Sequence, residues 1–133
     1  LSMTSLNPRT TGFRMMGEIG GQIVGVTVST AGDVNNDGFD DILVGGEGSN
    51  MLYVVYGGLG LSHWDFSSAS LDFATTGFTI HGLGGTNFGR SVNRGGDIDG
   101  DGYIDILIGA YAKDSYKGSI YTIYQGIEWN AIV

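Results

Sequence analysis

The chain of 133 residues contains no cysteine and one proline, and it lacks an apolar run near the ~20 residues that span a bilayer. Without cysteine, disulfides are excluded as a source of stability, although the cellular compartment stays open. Basic residues are also scarce, because six Lys and Arg stand against 14 Asp and Glu and leave a net charge of −8. Such an acidic chain binds nucleic acid and anionic membranes poorly, so we expect neither a nucleic-acid partner nor direct membrane insertion.

Glycine, by contrast, is abundant: it supplies 25 of the 133 residues, without the three-residue period of collagen. Glycines between short apolar runs are typical of tight turns that join short strands. Apolar residues make up 41% of the chain, a globular value, and no segment shows a long helical stripe. These features together predict an all-β globular fold.

Nearly the whole chain is an internal repeat. The segment "GDVNNDGFDDILVGG" (32–46) matches "GDIDGDGYIDILIGA" (96–110), and the similarity continues on both sides of this pair. The clearest flanking matches are "TTGFRMMG" with "TTGFTIHG" and "MLYVVYGG" with "SIYTIYQG". We therefore predict two repeats, residues 1–70 and residues 71–133.

Each repeat contains four short segments with the composition or alternation of β-strands. The predicted strands are 12–16, 23–30, 40–45 and 51–56 in the first repeat, and 77–81, 88–94, 103–109 and 119–124 in the second. Four short antiparallel strands per repeat is the plan of a propeller blade, so we predict two four-stranded antiparallel β-propeller blades. The Ser-rich connector 61–73 is expected to hold at most one turn of helix.

Two blades are too few to close a propeller, which typically needs about 4–8. The blades should therefore belong to a larger or an oligomeric propeller. We expect the chain to be a piece of a longer protein in preference to a unit that closes a ring with other copies of itself.

The acidic residues are concentrated in two loops, since eight of the 14 lie within 33–41 and 97–105. Alternate side chains of such a loop can converge on one ion, and a glycine at position 6 permits the turn that brings in the backbone carbonyl of position 7. The predicted metal ligands are the side chains at positions 1, 3, 5 and 9 and that carbonyl: Asp33, Asn35, Asp37, Phe39 and Asp41 in the first loop, and Asp97, Asp99, Asp101, Tyr103 and Asp105 in the second.

Every ligand offered is a hard oxygen, which favours Ca²⁺ over zinc or copper, and Mg²⁺ prefers fewer protein ligands and retained water. Carboxylates this close repel one another unless a cation lies between them. An EF-hand would need a carboxylate at position 12 and a following helix, but that position is Val44 or Ile108 in a β-branched run. The remaining alternative is a polar hairpin turn without a metal.

The repeat resembles the FG-GAP repeat of integrin α-chain β-propellers. The family's name appears in the second copy as Phe88-Gly89 and as "GAY" at 109–111, and in degraded form in the first copy as Val24-Gly25 and "GGE" at 45–47. The usual proline is absent from both copies, whereas the loop "GDxxxDGxxD" is intact in both. The resemblance implies that the calcium loop joins the first two strands of a blade and is structural, and that the protein is extracellular or on the cell surface.

The resemblance implies a calcium-stabilised extracellular β-propeller segment, with two Ca²⁺ sites, that acts in adhesion, protein–protein interaction or structural assembly. The expected partners are other propeller blades, in the same chain or in other subunits, and a protein or glycan ligand. No catalytic constellation is visible, so we do not expect an enzyme. Two alternatives stay open: an accessory propeller of a secreted hydrolase or lyase, and a lectin-like carbohydrate-binding module that uses Trp64 or Trp129.

Arg90 and Arg94 stand where the first repeat has Val26 and Thr30. They are expected to pair with acids at a blade boundary or to mark a function that the first repeat lacks. The tyrosines recur at matching places, which predicts packing in the core or between blades: Tyr53, Tyr56, Tyr121 and Tyr124.

Overall fold

The structure is a computed structural model that describes residues 6–7, 10–17, 23–48, 50–58, 65–67, 71–112 and 117–126. Within these ranges the strands are β1 (Arg14–Met16), β2 (Ile23–Gly32), β3 (Asp41–Glu47), β4 (Met51–Val55), β5 (Asp65–Ser67), β6 (Gly77–His81), β7 (Phe88–Gly96), β8 (Asp105–Ala110) and β9 (Ser119–Ile123). The all-β prediction is confirmed. No helix among these residues is long and apolar enough to cross a membrane.

Two antiparallel sheets hold most of the strands. The first has the order β2-β3-β4-β6, and the second has the order β7-β8-β9. The second sheet repeats the register of the first, since Gly45 pairs with Leu52 and the matching Gly109 pairs with Ile120. The bulges also recur at matching places, after Val24 in β2 and after Phe88 in β7. The two sheets are therefore built on one local plan, which is consistent with parts of a β-propeller.

The prediction of one four-stranded blade per repeat is wrong in its assignment of strands. β6 was expected to open the second blade, but it pairs with β4 and completes the first sheet, so the second sheet has three strands among the described residues. β6 is held there by packing, because Phe78 contacts the rings of Tyr56 and Phe73 at centroid distances of 6.1 and 5.5 Å. The repeat boundaries, 1–70 and 71–133, stay a prediction.

The strand predicted to come first in each blade, β1 or β6, therefore does not pair with the other strands of that blade. β1 pairs in parallel with β5, which lies in the connector where at most one turn of helix was expected. The rest of that connector before residue 71, at 61–64 and 68–70, lies outside the described residues.

Each sheet has two faces, because successive side chains of a strand point to opposite sides and directly paired residues share a side. Face A of the first sheet carries Leu43, Gly45 and Leu52, and face A of the second carries the matching Leu107, Gly109 and Ile120. Face B of the first sheet carries Val28, Val44 and Tyr53, and face B of the second carries the matching Val92, Ile108 and Tyr121.

The main core lies where face A of the first sheet packs on face B of the second. It unites Leu43 and Leu52 with Val92 and Ile108 among its buried members. A smaller cluster lies on face B of the first sheet, where Phe13 and Met15 of the β1 region pack against Val44, Tyr53 and Val55. Together, these two clusters supply most of the buried apolar surface.

The backbones of the two sheets are in direct contact at Gly45 and Gly89. A Cβ atom added to Gly45 of β3 would overlap the carbonyl oxygen of Gly89 in β7 and the Cγ2 atom of Thr27. Backbone therefore packs directly on backbone at this point, and a larger residue would force the sheets apart.

We expect Gly45→Ala to lower the free energy of unfolding by about 1–3 kcal/mol, because overpacking displaces β7 from the first sheet. Urea denaturation measures the loss. Gly84→Ala is the matched control, since a Cβ atom at Gly84 meets no heavy atom within 4 Å. Equal stability of the two variants would contradict the close approach of the sheets.

Candidate metal site

The two acidic loops occupy matching places in the two sheets. Residues 33–40 connect β2 to β3, and residues 97–104 connect β7 to β8. Each loop thus joins the first two strands of its sheet, as the family resemblance implies. All ten predicted ligand residues lie in these loops or at the first residue of the strand that follows.

The aspartate at position 9 anchors each loop. Asp41 is fully buried, and its carboxylate accepts hydrogen bonds from the backbone N–H groups of Val34 at 2.7 Å and Gly57 at 2.8 Å. Asp105 is also fully buried and accepts the corresponding two N–H groups at 2.7 and 3.1 Å. One carboxylate therefore holds the loop, the second strand of the sheet and the chain after the third strand together.

The aspartate at position 1 curls each loop. Asp33 accepts the backbone N–H groups of Asp37 at 3.0 Å and Gly38 at 2.9 Å. Asp97 accepts the two corresponding N–H groups at 3.0 and 2.9 Å, with a third at 2.7 Å. The glycines at position 6 adopt left-handed φ angles of 90° and 94°, so they provide the sharp turn that their spacing predicts.

The second loop brings three of its four predicted side-chain ligands together. Carboxylate oxygens of Asp97, Asp99 and Asp105 lie within 4.8 Å of one another. Asp101 lies outside this group, and its carboxylate accepts the N–H of Tyr103 at 2.9 Å. Asp101 and the predicted carbonyl ligand of Tyr103 therefore stay predictions as metal ligands.

The first loop has an amide where the second has a carboxylate. Asn35 stands in the place of Asp99, and its Nδ2 donates to a carboxylate oxygen of Asp37 at 2.9 Å. The other oxygen of Asp37 accepts the N–H of Phe39 at 2.9 Å, as Asp101 does in the second loop. The carbonyl of Phe39 as a ligand also stays a prediction.

In each loop the surroundings raise the pKa of one carboxyl group and so disfavour its charged form. Burial raises the pKa of Asp41, and the charges of Asp37 and Asp33 act in the same direction, against the two backbone hydrogen bonds that lower it. Desolvation within the loop and the charges of the other three aspartates raise the pKa of Asp99. A cation among these oxygens would relieve the repulsion.

Gln125 connects the two loops, and nothing in its own residue type pointed to this role. Its backbone N–H is the donor to Asp105 at 3.1 Å, and its Nε2 donates to the backbone carbonyl of Asp33 at 3.0 Å. Its Oε1 is buried without a hydrogen-bond partner among the described residues. In the first repeat the residue that matches Gln125 is Gly57. Gly57 and Gln125 each follow one of the repeated tyrosines, and this is the signal in the sequence that points to the position.

A cleft of about 660 Å³ separates the loops, with Asn35 and Asp37 on one side and Tyr103 on the other. Tyr56 also lines it, and burial, with the charges of Asp41 and Asp37, raises the pKa of this tyrosine to about 12. The Tyr56 hydroxyl therefore stays neutral at physiological pH and adds no charge to the cleft.

Arg90 forms the ion pair that was expected at a blade boundary. Its Nη1 lies 2.7 Å from Glu47 Oε1, which joins β7 to β3, and its guanidinium lies 5.3 Å from the ring centre of Tyr111. The side chains of the ion pair are 44% and 33% exposed, so it contributes little to stability. Arg94 is exposed on β7.

The repeated tyrosines divide into two groups. Tyr53, Tyr56 and Tyr121 pack in the cores as predicted, whereas Tyr124 is about half exposed. Trp64 and Trp129 lie outside the described residues.

A family model described as FG-GAP repeat matches residues 88–123. This match runs from the first residue of β7 to the last residue of β9, so it covers the second sheet. The first repeat, with its degraded Val24-Gly25, is not part of the match.

Longer stretches of the chain are similar to integrin α chains. Integrin alpha-4 of Xenopus laevis is 34% identical over 95 residues, which is 68% of this chain and 9% of the relative. Integrin alpha-PS5 and integrin alpha-PS3 of Drosophila melanogaster are 32% and 36% identical over 113 and 110 residues, each covering 82% of this chain. The chain spans about a tenth of the length of these curated relatives.

We expect Asp41→Ala to lower the free energy of unfolding in EDTA by about 2 kcal/mol or more, because one buried and one partly buried backbone N–H group lose their acceptor. Urea denaturation measures this loss without any contribution from metal. The matched control is Asp40→Ala, since Asp40 is exposed and Ile104 replaces it in the second repeat. Wild-type stability of Asp41→Ala would show that this carboxylate does not anchor the loop.

Proposed function

The chain carries an FG-GAP repeat and is similar to integrin α chains, and on this premise we propose that it is a calcium-stabilised segment of an extracellular adhesion-type β-propeller. One observation carries the calcium part of this proposal. The same acidic loop, with the same backbone hydrogen bonds to positions 1, 5 and 9, is built twice at matching places of two sheets.

The second loop gives the clearest support for a cation. Carboxylate oxygens of Asp97, Asp99 and Asp105 lie within 4.8 Å of one another, so their negative charges repel. The backbone N–H groups that fix them use only some of their lone pairs, since each carboxylate offers about four acceptor sites. The remaining lone pairs are available to an ion.

The donor set selects the class of ion. All proposed ligands are oxygens of Asp, Asn or the backbone, and neither loop contains His or Cys. Ca²⁺ accepts 6–8 such ligands in flexible geometry, whereas Mg²⁺ demands near-ideal octahedral geometry and releases its water reluctantly. We therefore propose one Ca²⁺ per loop, with the position 7 carbonyls of Phe39 and Tyr103 completing the sets.

The two sites should differ in affinity. The first loop offers three carboxylates and the amide of Asn35, while the second offers four carboxylates, including Asp99. Affinity for Ca²⁺ rises with the number of ligand charges. The second site is therefore proposed as the tighter of the two.

The proposed surroundings are extracellular, where modules with Kd of about 10⁻⁴–10⁻³ M bind Ca²⁺. The proposed role of the ions is structural, because the carboxylates that would bind them also accept the backbone hydrogen bonds that shape the loops. Adhesion, protein–protein interaction or assembly would then use other surfaces of the propeller. No described residue gives specific support to the accessory-enzyme or the lectin-like alternative.

We expect millimolar Ca²⁺ to raise the melting temperature by several degrees relative to EDTA. A free Ca²⁺ concentration about 10 times Kd stabilises the fold by roughly 1.4 kcal/mol per site. Differential scanning calorimetry with Ca²⁺, with Mg²⁺ and with EDTA tests the proposal. Identical melting temperatures in Ca²⁺ and EDTA would refute the calcium part.

Reciprocal substitutions at position 3 test the order of the sites. Asp99→Asn should weaken the second site and Asn35→Asp should strengthen the first, each by roughly threefold to tenfold, because one ligand charge is removed or added. Isothermal titration calorimetry resolves the two Kd values. Asp40→Asn is the matched control for charge alone, and an equal effect of this variant would show that the loops respond only to net charge.

A further inference from the structure

The two acidic loops lie side by side, and the repeats differ in sequence where the loops meet. Ile104, at position 8 of the second loop, stands where the first loop has the exposed Asp40. A Cβ atom added to Gly32, the residue before the first loop, would lie 3.6 Å from the Cβ and Cγ1 atoms of Ile104. The side chain of Ile104 therefore lies beside the start of the first loop, and its chain neighbours, Tyr103 and Asp105, are both proposed ligands of the second loop.

Gln125 connects the loops at a second point, through one particular peptide group. Its Nε2 donates at 3.0 Å to the carbonyl oxygen of Asp33, and the same peptide group carries the N–H of Val34. That N–H donates at 2.7 Å to the carboxylate of Asp41. On the other side, the backbone N–H of Gln125 donates at 3.1 Å to the carboxylate of Asp105. A chain of hydrogen bonds thus runs from the position 9 aspartate of the second loop to that of the first.

The amide of Gln125 suits this place because it supplies a donor on a buried side chain. A carbonyl oxygen only accepts, so Nε2 is the amide atom that must face Asp33. Gln125 is 2% exposed, and a hydrogen bond away from water is electrostatically stronger than one in water. The matching Gly57 makes the same backbone bond to the carboxylate of its own loop at 2.8 Å, but it has no side chain with which to reach another loop.

The hydrogen-bond chain joins groups that should respond to an ion. In a loop without a cation the carboxylates repel one another, and a bound cation would draw them together and order the loop. An ordered Asp105 holds Gln125 in place, and Gln125 in turn holds the peptide group that Asp41 binds. Donation to the carbonyl of this peptide group also polarises its N–H, which strengthens the bond to Asp41. Order in one loop therefore lowers the cost of ordering the other.

We propose that Gln125 couples the two proposed calcium sites, so that an ion in either loop raises the affinity of the other loop. This inference rests on the proposed function and adds to it a means by which one site regulates the other. Gln125 is a positioning residue, because it acts through Asp33, Asp41 and Asp105. Repulsion between two cations opposes the coupling, and salt at about 0.15 M screens it. Removing the link should therefore leave the sites independent or mutually unfavourable.

Hydrogen exchange at two backbone amides, measured by NMR, tests the coupling. The N–H of Ile98 donates to the position 9 aspartate of the second loop, and the N–H of Val34 donates to that of the first. Asp37→Ala disables the first site, so that Ca²⁺ binds the second loop alone. Ca²⁺ should then slow exchange at Ile98, where it binds, and also slow exchange at Val34 by roughly fivefold, since order passes through Gln125.

Gln125→Met in the Asp37→Ala background should separate the two responses. Methionine has a similar length and keeps the backbone N–H, but its side chain has no donor for the carbonyl of Asp33. Ca²⁺ should still slow exchange at Ile98, which shows that the second loop is folded and filled, and exchange at Val34 should no longer respond. Gln125→Gly, which introduces the residue of the matching position, should give the same result.

Thr86→Val is the matched control for the loss of one hydrogen bond from a side chain to the backbone. The hydroxyl of Thr86, a buried residue, donates to the carbonyl of Leu83 at 2.6 Å. Both residues lie in the turn between β6 and β7, at the opposite end of β7 from the second loop. In the Asp37→Ala background this variant should keep the responses of both Ile98 and Val34.

Isothermal titration calorimetry gives an independent measure of the same coupling. Asp99→Ala disables the second site and should raise the Kd of the first by roughly fivefold, and Asp37→Ala should raise the Kd of the second by the same factor, because coupling is reciprocal. In the Gln125→Met background both factors should fall to about one or below. Circular dichroism confirms that each variant is folded.

A chain with Gln125 in which Ca²⁺ slows exchange at Ile98 but not at Val34 would overturn the coupling and leave the calcium site intact. An undiminished Val34 response in Gln125→Met and Gln125→Gly, or its loss in Thr86→Val, would also overturn the role of Gln125. Absence of both the Ile98 response and any heat of binding would instead refute the calcium part of the proposed function, and the coupling with it.

Discussion

A buried carboxylate that accepts two backbone hydrogen bonds holds each acidic loop in place. Asp41 binds the N–H groups of Val34 and Gly57, which belong to the loop and to the chain after the third strand. A buried charge is tolerable only when such donors surround it. Because these donors are backbone groups, the loop is shaped before any ion arrives, and less ordering is needed on binding.

The contact between the sheets depends on an equally local constraint. Two glycines let the backbones of β3 and β7 approach, and the apolar residues around them then close the core. The sheets are alike in plan but differ in exposure, because among the described residues each sheet packs on the other sheet with only one of its faces. The asymmetry between Leu52 and Ile120 is therefore a property of position in the array and not of the local sequence.

Sequence reasoning located the loops and the all-β fold well, because loop chemistry is local and its spacing is visible twice. It did not place β6, since strand pairing depends on distant partners such as Tyr56 and Phe73, which pack on Phe78. The role of Gln125 was also hidden, because its backbone N–H donor is common to nearly all residue types. Tyr124 is 52% exposed, and its packing between blades stays a prediction because its environment depends on what lies beyond the second sheet.

The predicted boundary between the sequence repeats does not coincide with the boundary between the sheets. β6 belongs by sequence to the second repeat but is hydrogen-bonded to the first sheet. A duplication that copies one repeat therefore does not copy a finished folding unit. It copies three strands of a new sheet together with the one strand that completes the sheet before it. A repeat added at this boundary would thereby be joined to the sheet before it by backbone hydrogen bonds, as β6 is to β4.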